Sequence, residues 1–175
     1  MALILNKGEL DAAISPKGRE EGGEGGGKKA NHFDHLNAPC RSFIDRAPFV
    51  CLSTTDRRGT HHLAPLGGKP GFVEVLDERT ILLPEWPAPE SHERLRDLLE
   101  DGRVGILFLV PGEDQALEVT GVASLSNDSR FLNHFRSDDG IPEVVILLEV
   151  GTAAFVGGSA VRRSRLWASA APAVE

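Results

Sequence analysis

The side chains best able to move protons or hold metal here are the six histidines. His61 and His62 are adjacent in a run that reads as a strand, so they point to opposite faces and cannot share one metal. One of the two must face the barrel interior or an interface, where a neutral imidazole can donate, accept or relay a proton. His32 and His35 have the i, i+3 spacing of a helical metal pair, but the helix signal begins after them and no third ligand is identifiable. No metal site is expected. Cys40 and Cys51 make neither a disulfide framework nor a zinc set. Cys51, between Val50 and Leu52, reads as a small core residue rather than a nucleophile. No G-x-S-x-G signature is present, and Gly157-Gly158-Ser159 does not supply one.

Two further patterns invite a chemical reading. Gly22–Lys28 formally satisfies GxxxxGK, but polar residues precede it and Lys29 stands where a magnesium-binding hydroxyl belongs, so it reads as linker. Arg162-Arg163-Ser164-Arg165-Leu166-Trp167 is the densest basic patch. It could grip an anion while Trp167 stacks on a planar ring. Equally, it could be a terminal helix whose cations favour the negative end of the helix dipole and whose indole covers the core.

The elements that must position these groups follow from capping and periodicity. Ser15–Lys29 contains six glycines and nothing to bury, so residues 1–30 are expected to form an arm with a flexible linker. Residues 31–170 should form the folded domain, and 171–175 a tail. Asn37 can cap a helix with Pro39 in its first turn and Phe43 and Ile44 on one face; it should stop before Pro48. Pro48–Thr55 and Thr60–Leu66 read as a hairpin around Asp56–Gly59. Phe72–Leu76 and Thr80–Leu83 read as a second. After the proline-rich connector Pro84–Glu90, a helix over Ser91–Glu100 should bury Leu95, Leu98 and Leu99 and wet His92, Glu93, Arg96 and Asp97. Strands are expected at Arg103–Val110, Ala116–Leu125 and Glu143–Phe155, with a short helix ending at Phe135 and a basic helix around Ser159–Trp167. The expected fold is mainly β: a barrel of six to seven mostly antiparallel strands with short flanking helices.

The chain has 175 residues, and 26 acidic against 19 basic side chains give a net charge of −7. That field repels phosphate backbones, and the absence of tyrosine, with only eight Phe and two Trp, disfavours base stacking. No nucleic-acid partner is expected. Apolar runs such as Val144–Leu148 fall far short of the ~20 residues a bilayer requires, and Met1–Leu5 is too short for a secretion signal. A cytoplasmic location and no membrane partner are expected, so the Asn127-Asp128-Ser129 acceptor motif has no use.

Taken together, Pro48–Pro87 (PFVCLSTTDRRGTHHLAPLGGKPGFVEVLDERTILLPEWP), Leu95–Gly112 (LRDLLEDGRVGILFLVPG), Glu118–Asp128 (EVTGVASLSND) and Val161–Trp167 (VRRSRLW) resemble the pyridoxamine 5′-phosphate oxidase-like family. The resemblance runs in order from about Phe33 to Trp167. It implies the FMN-binding split barrel, an intertwined homodimer, and FMN at the dimer interface acting on a small-molecule substrate. Basic and hydroxyl groups on the second strand and on the loop leading into the helix would hold the phosphate, and C-terminal residues would pack near the ring. On that mapping Leu66, Lys69, Ser91, Arg94, Arg96, Arg163, Arg165 and Trp167 are the cofactor-binding candidates.

The match is incomplete where the phosphate should sit. Ala64-Pro65-Leu66-Gly67 replaces the family's SPRG, Ala88-Pro89-Glu90-Ser91 replaces a Gly-Asn-Asn-Arg stretch, and Glu118 stands in place of a basic residue. A lysine usual before the terminal RSRLW is also missing. Each charge-assisted hydrogen bond to a phosphate contributes roughly 1.5–3 kcal/mol, so losing two or three lowers affinity by orders of magnitude. His62, Lys69, His92, Arg94 and Arg96 would compensate if they converge. Three readings follow. One is an FMN-dependent oxidoreductase. Another is a flavin-free barrel that reuses the pocket for cyclisation, isomerisation or elimination, with His62, His92, Glu90 or Glu118 as acid or base. The third is a non-catalytic binder of a small ligand or of haem.

Overall fold

The computed structural model describes residues 32–89, 91–137 and 140–168. The expected arm, linker and tail, and Glu90, lie outside the described residues. Helix α1 (Ala38–Arg46) begins as its sequence dictates: the Asn37 side chain accepts the Cys40 N–H at 3.0 Å, and Pro39 occupies the first turn. Its Cys40, Phe43 and Ile44 are buried, and Phe43 meets Phe155 edge-on at 5.4 Å between ring centroids.

Strands β1 (Phe49–Thr55) and β2 (His61–Gly67) form the expected hairpin. The Asp56 carboxylate accepts the N–H groups of Arg58 and Thr60, each at 2.8 Å, and Gly59 takes the positive φ the turn needs. In the second hairpin the expected lengths are redistributed. β3 is only Glu74–Val75, whereas β4 (Thr80–Glu85) continues through Pro84 to a buried Glu85. Proline is tolerated there because β3 pairs only with Ile81 and Leu82, which leaves the far end of β4 with one free edge.

Helix α2 spans Ser91–Glu100, as expected, but with a different face inward. Asp97 and Arg94 are buried with Leu98, while Leu99 is 75% exposed. Then follow β5 (Arg103–Leu109), β6 (Ala116–Ser126), α3 (Ser129–Leu132) with a 3-10 turn at Asn133–Phe135, β7 (Val144–Val156) and α4 (Gly158–Ser164). Helix α4 stops before the expected Trp167 because Arg165 turns left-handed, at φ 50°.

The seven strands among the described residues form one antiparallel sheet in the order β2-β1-β5-β6-β7-β4-β3. It curls around a core of alternating inward residues, among them Val50, Leu52, Ile106, Phe108, Val119, Ile146 and Leu148, and α1 packs on that core. β2 is not bonded to β4, so the barrel is open along one seam. Cys51 points away from the core and is half-buried; the sulfur that enters it is that of Cys40. This corrects the expectation for Cys51, whose neighbours Val50 and Leu52 take the inward positions.

The longest strand pair, β6–β7, carries a register shift between Thr120 and Gly121, with Gly151 as the extra residue opposite. A Cβ on Gly121 would sit 2.0 Å from the Glu149 carbonyl oxygen. We expect Gly121→Ala to force the strands apart and cost about 1–3 kcal/mol in urea unfolding, as overpacking does.

Candidate functional site

The seam between β2 and β4 is bridged by α2, and a cleft of about 390 Å³ lies there. Its walls are Leu63, Ala64, Pro65 and Leu66 of β2, Phe72 of the following turn, Pro84 at the end of β4, and Trp86. Five polar side chains are set into this apolar surface: Thr54, His62, Glu93, Arg94 and its partner Glu85.

Strand alternation decides which histidine matters. Thr54 lies opposite His62 across the β1–β2 ladder, and both face inward. His61 faces outward and meets the Thr55 hydroxyl at 3.1 Å. His62 Nδ1 lies 2.7 Å from Asp97 Oδ2, and the same oxygen accepts the Thr54 hydroxyl at 2.8 Å. Asp97 is 3% exposed. A buried carboxylate takes the imidazole N–H on Nδ1, which turns Nε2 outward, 3.9 Å from Glu93 Oε1. The hydrogen bond to Asp97 and the charges of Asp97, Glu93 and Asp56 hold the His62 proton, so its pKa lies above the ordinary 6.5.

One turn earlier on α2, Arg94 grips Glu85 through two hydrogen bonds, Nε to Oε2 at 3.0 Å and Nη2 to Oε1. Both side chains are buried, at 7% and 4% exposure. The guanidinium expected to hold a phosphate is thus committed to a carboxylate. The Ser91 hydroxyl is likewise committed, donating to the Ala88 carbonyl at 2.7 Å.

Of the residues singled out from sequence, the structure brings His62, Leu66 and Arg94 to the cleft. Ser91 and His92 line a neighbouring groove on the other side of Trp86. Lys69 is exposed in the turn after β2, and Arg96 on the outer side of α2; neither lines the cleft. Glu118 is exposed on the outer face of β6, opposite Leu107 and Ala154. Arg163, Arg165 and Trp167 lie at the β5–β6 turn, where the Trp167 indole donates to the Glu113 carbonyl at 2.8 Å and Arg162 reaches Asp114 at 3.6 Å. Trp167 is 36% exposed and does not cover the core.

Sequence reasoning missed Thr54, Phe72, Trp86, Glu93 and Asp97 as site residues. The available signal was the inward histidine of the His61-His62 pair, which requires a buried partner. For an FMN phosphate the fit fails: among the described residues the cleft is lined by no lysine, and its single arginine is neutralised.

An antiparallel barrel open along one seam, with a helix across the opening, is a split barrel. A family model described as pyridoxamine 5′-phosphate oxidase matches residues 36–157, and the chain belongs to that family. Among solved structures it is similar to HupZ of Group A Streptococcus, with 13% identity over 70% of this chain and 94% of that one, and a TM-score of 0.57. An FMN-binding protein from Syntrophomonas wolfei gives 16% identity, 66% and 82% coverage, and TM-score 0.53. General Stress Protein 26 from Bacillus anthracis gives 19%, 66% and 88%, and 0.51. A search of curated proteins returned no relative. Among the described residues, no helix is long and apolar enough to cross a membrane, and no cluster of metal-ligating side chains occurs.

Breaking the buried ion pair tests how the cleft is held. Arg94→Met leaves Glu85 buried without a counter-charge and should cost about 3–5 kcal/mol in chemical denaturation. The double variant Glu85→Leu/Arg94→Met should recover most of that loss.

Proposed function

We propose that this chain is a flavin-free member of its family. In this reading it uses the seam cleft for a non-redox, proton-transfer reaction on a small organic molecule, such as an isomerisation, elimination or cyclisation. The observation that carries this reading is the Thr54–Asp97–His62 chain, with Nε2 on the cleft side. Asp97 is the positioning residue: it fixes the ring and tautomer and stabilises the imidazolium. His62 takes a proton from substrate at Nε2 and returns it to the developing product. Trp86, Phe72 and Leu66 hold the apolar body of the substrate and exclude water. Roles for His92, Glu118 and Glu90 are not part of this mechanism.

The competing reading, an FMN oxidoreductase, draws on family membership and on the FMN-binding fold neighbour. It requires phosphate contacts that Arg94 and Ser91 do not offer while bound to Glu85 and Ala88. Titration with FMN, followed by flavin fluorescence, separates the two. No binding at micromolar FMN is expected, and a yellow protein or a micromolar Kd would overturn the flavin-free reading.

The proton chemistry has its own check. NMR titration should place the His62 pKa above 6.5, and Asp97→Asn should bring it back down. Because the folded-state value is raised, the pair contributes stability that is fully present below about pH 6.5 and lost as pH rises through the shifted value. In Asp97→Asn and in His62→Gln this pH dependence should flatten.

We also propose a cytoplasmic homodimer formed by the outer face of β1 and β2. Phe49 and Leu63 are 37% and 76% exposed there, and Leu63 also borders the cleft. A second copy on this face would roof the cleft. Light scattering should give a dimer for the wild type and a monomer for Leu63→Glu.

A further inference from the structure

The charges around the cleft do not balance, and the remainder points to a ligand class. Arg94 cancels Glu85. A proton on His62 cancels Asp97. Glu93 is left over: its side chain is 72% exposed at the rim, 3.9 Å from His62 Nε2. With His62 neutral, Asp97 adds a second uncompensated negative charge. The apolar part of the wall, including Phe72, Pro84 and Trp86, encloses about 390 Å³, near the lower end of the range for small-molecule sites and suited to one ring.

We infer that the cleft selects a small amine, with an apolar, ring-sized body between Phe72 and Trp86 and an ammonium group between Glu93 and His62. This inference rests on the proposed flavin-free reading of the same site. An ammonium donates to the Glu93 carboxylate and to neutral His62 Nε2 together, which matches its several donors. A carboxylate or phosphate placed there faces Glu93 with no free cation among the cleft-lining residues, and like charges in a partly desolvated site reject it. A neutral analogue keeps the apolar contact and gains nothing from the charge. Selectivity therefore resides in Glu93, and affinity for the body in the apolar wall.

Benzylamine, benzyl alcohol, benzoate and phenyl phosphate share one ring and differ at the end group. Their binding to the full chain can be followed at about pH 8, above the ordinary histidine range and where the amine is still largely charged. The Trp86 indole N–H is the NMR reporter, assigned with Trp86→Phe. We expect benzylamine to bind about tenfold tighter than benzyl alcohol, with both anions weaker than the alcohol. Glu93→Gln should bring the amine-to-alcohol ratio close to one, chiefly by weakening the amine. Anion binding as tight as that of the amine, a ratio that survives Glu93→Gln, or no binding by any probe would overturn the inference. FMN is titrated in parallel. If FMN binds, the flavin-free reading falls and this inference with it. If FMN does not bind and benzoate outcompetes benzylamine, only the amine assignment falls.

Discussion

A carboxylate sealed inside a protein must find donors, and Asp97 finds two, on different elements. Thr54 comes from β1 and His62 from β2, and both reach the same oxygen. Without them the charge would carry a desolvation cost of several kcal/mol. With them α2 is fixed against the β1–β2 hairpin. The imidazole is aimed by the same contact that satisfies the helix, so anchoring the fold and orienting the His62 ring are one event here.

The Arg94–Glu85 pair repeats this arrangement toward β4. Its net contribution to stability is small in principle, since buried ion pairs are often replaceable by apolar residues. In the proposed reading it also keeps the Arg94 guanidinium from serving as a phosphate contact in the cleft.

Much of the architecture was legible from local signals. The Asn37 cap, the Asp56–Gly59 turn and the limits of α2 follow from residues within a few positions of one another. The face of α2 was not legible. Periodicity places Leu95, Leu98 and Leu99 inward and Asp97 outward, whereas Leu99 is exposed and Asp97 is buried. Its partners Thr54 and His62 lie 43 and 35 residues away, and a hydrophobicity pattern prices a polar side chain without knowing that it will be paired. The site was half legible for the same reason. Alternation isolated the His61-His62 pair, but only the folded register could say which of the two meets a carboxylate. The basic C-terminal cluster illustrates the reverse error: a dense chemical signal that the fold places at the β5–β6 turn, away from the cleft.

The open seam has one more consequence. Backbone hydrogen bonds set the spacing of every other neighbouring pair of strands near a fixed repeat, but across the seam the spacing is set by the reach of side chains from α2. The aperture is therefore measured in methylenes. A glutamate shortened to aspartate at position 85, or an arginine exchanged for lysine at position 94, would shift one jaw by about the length of a carbon–carbon bond while the ladders on either side kept their register. A barrel built this way can resize its slot one bond at a time without redesigning its sheet.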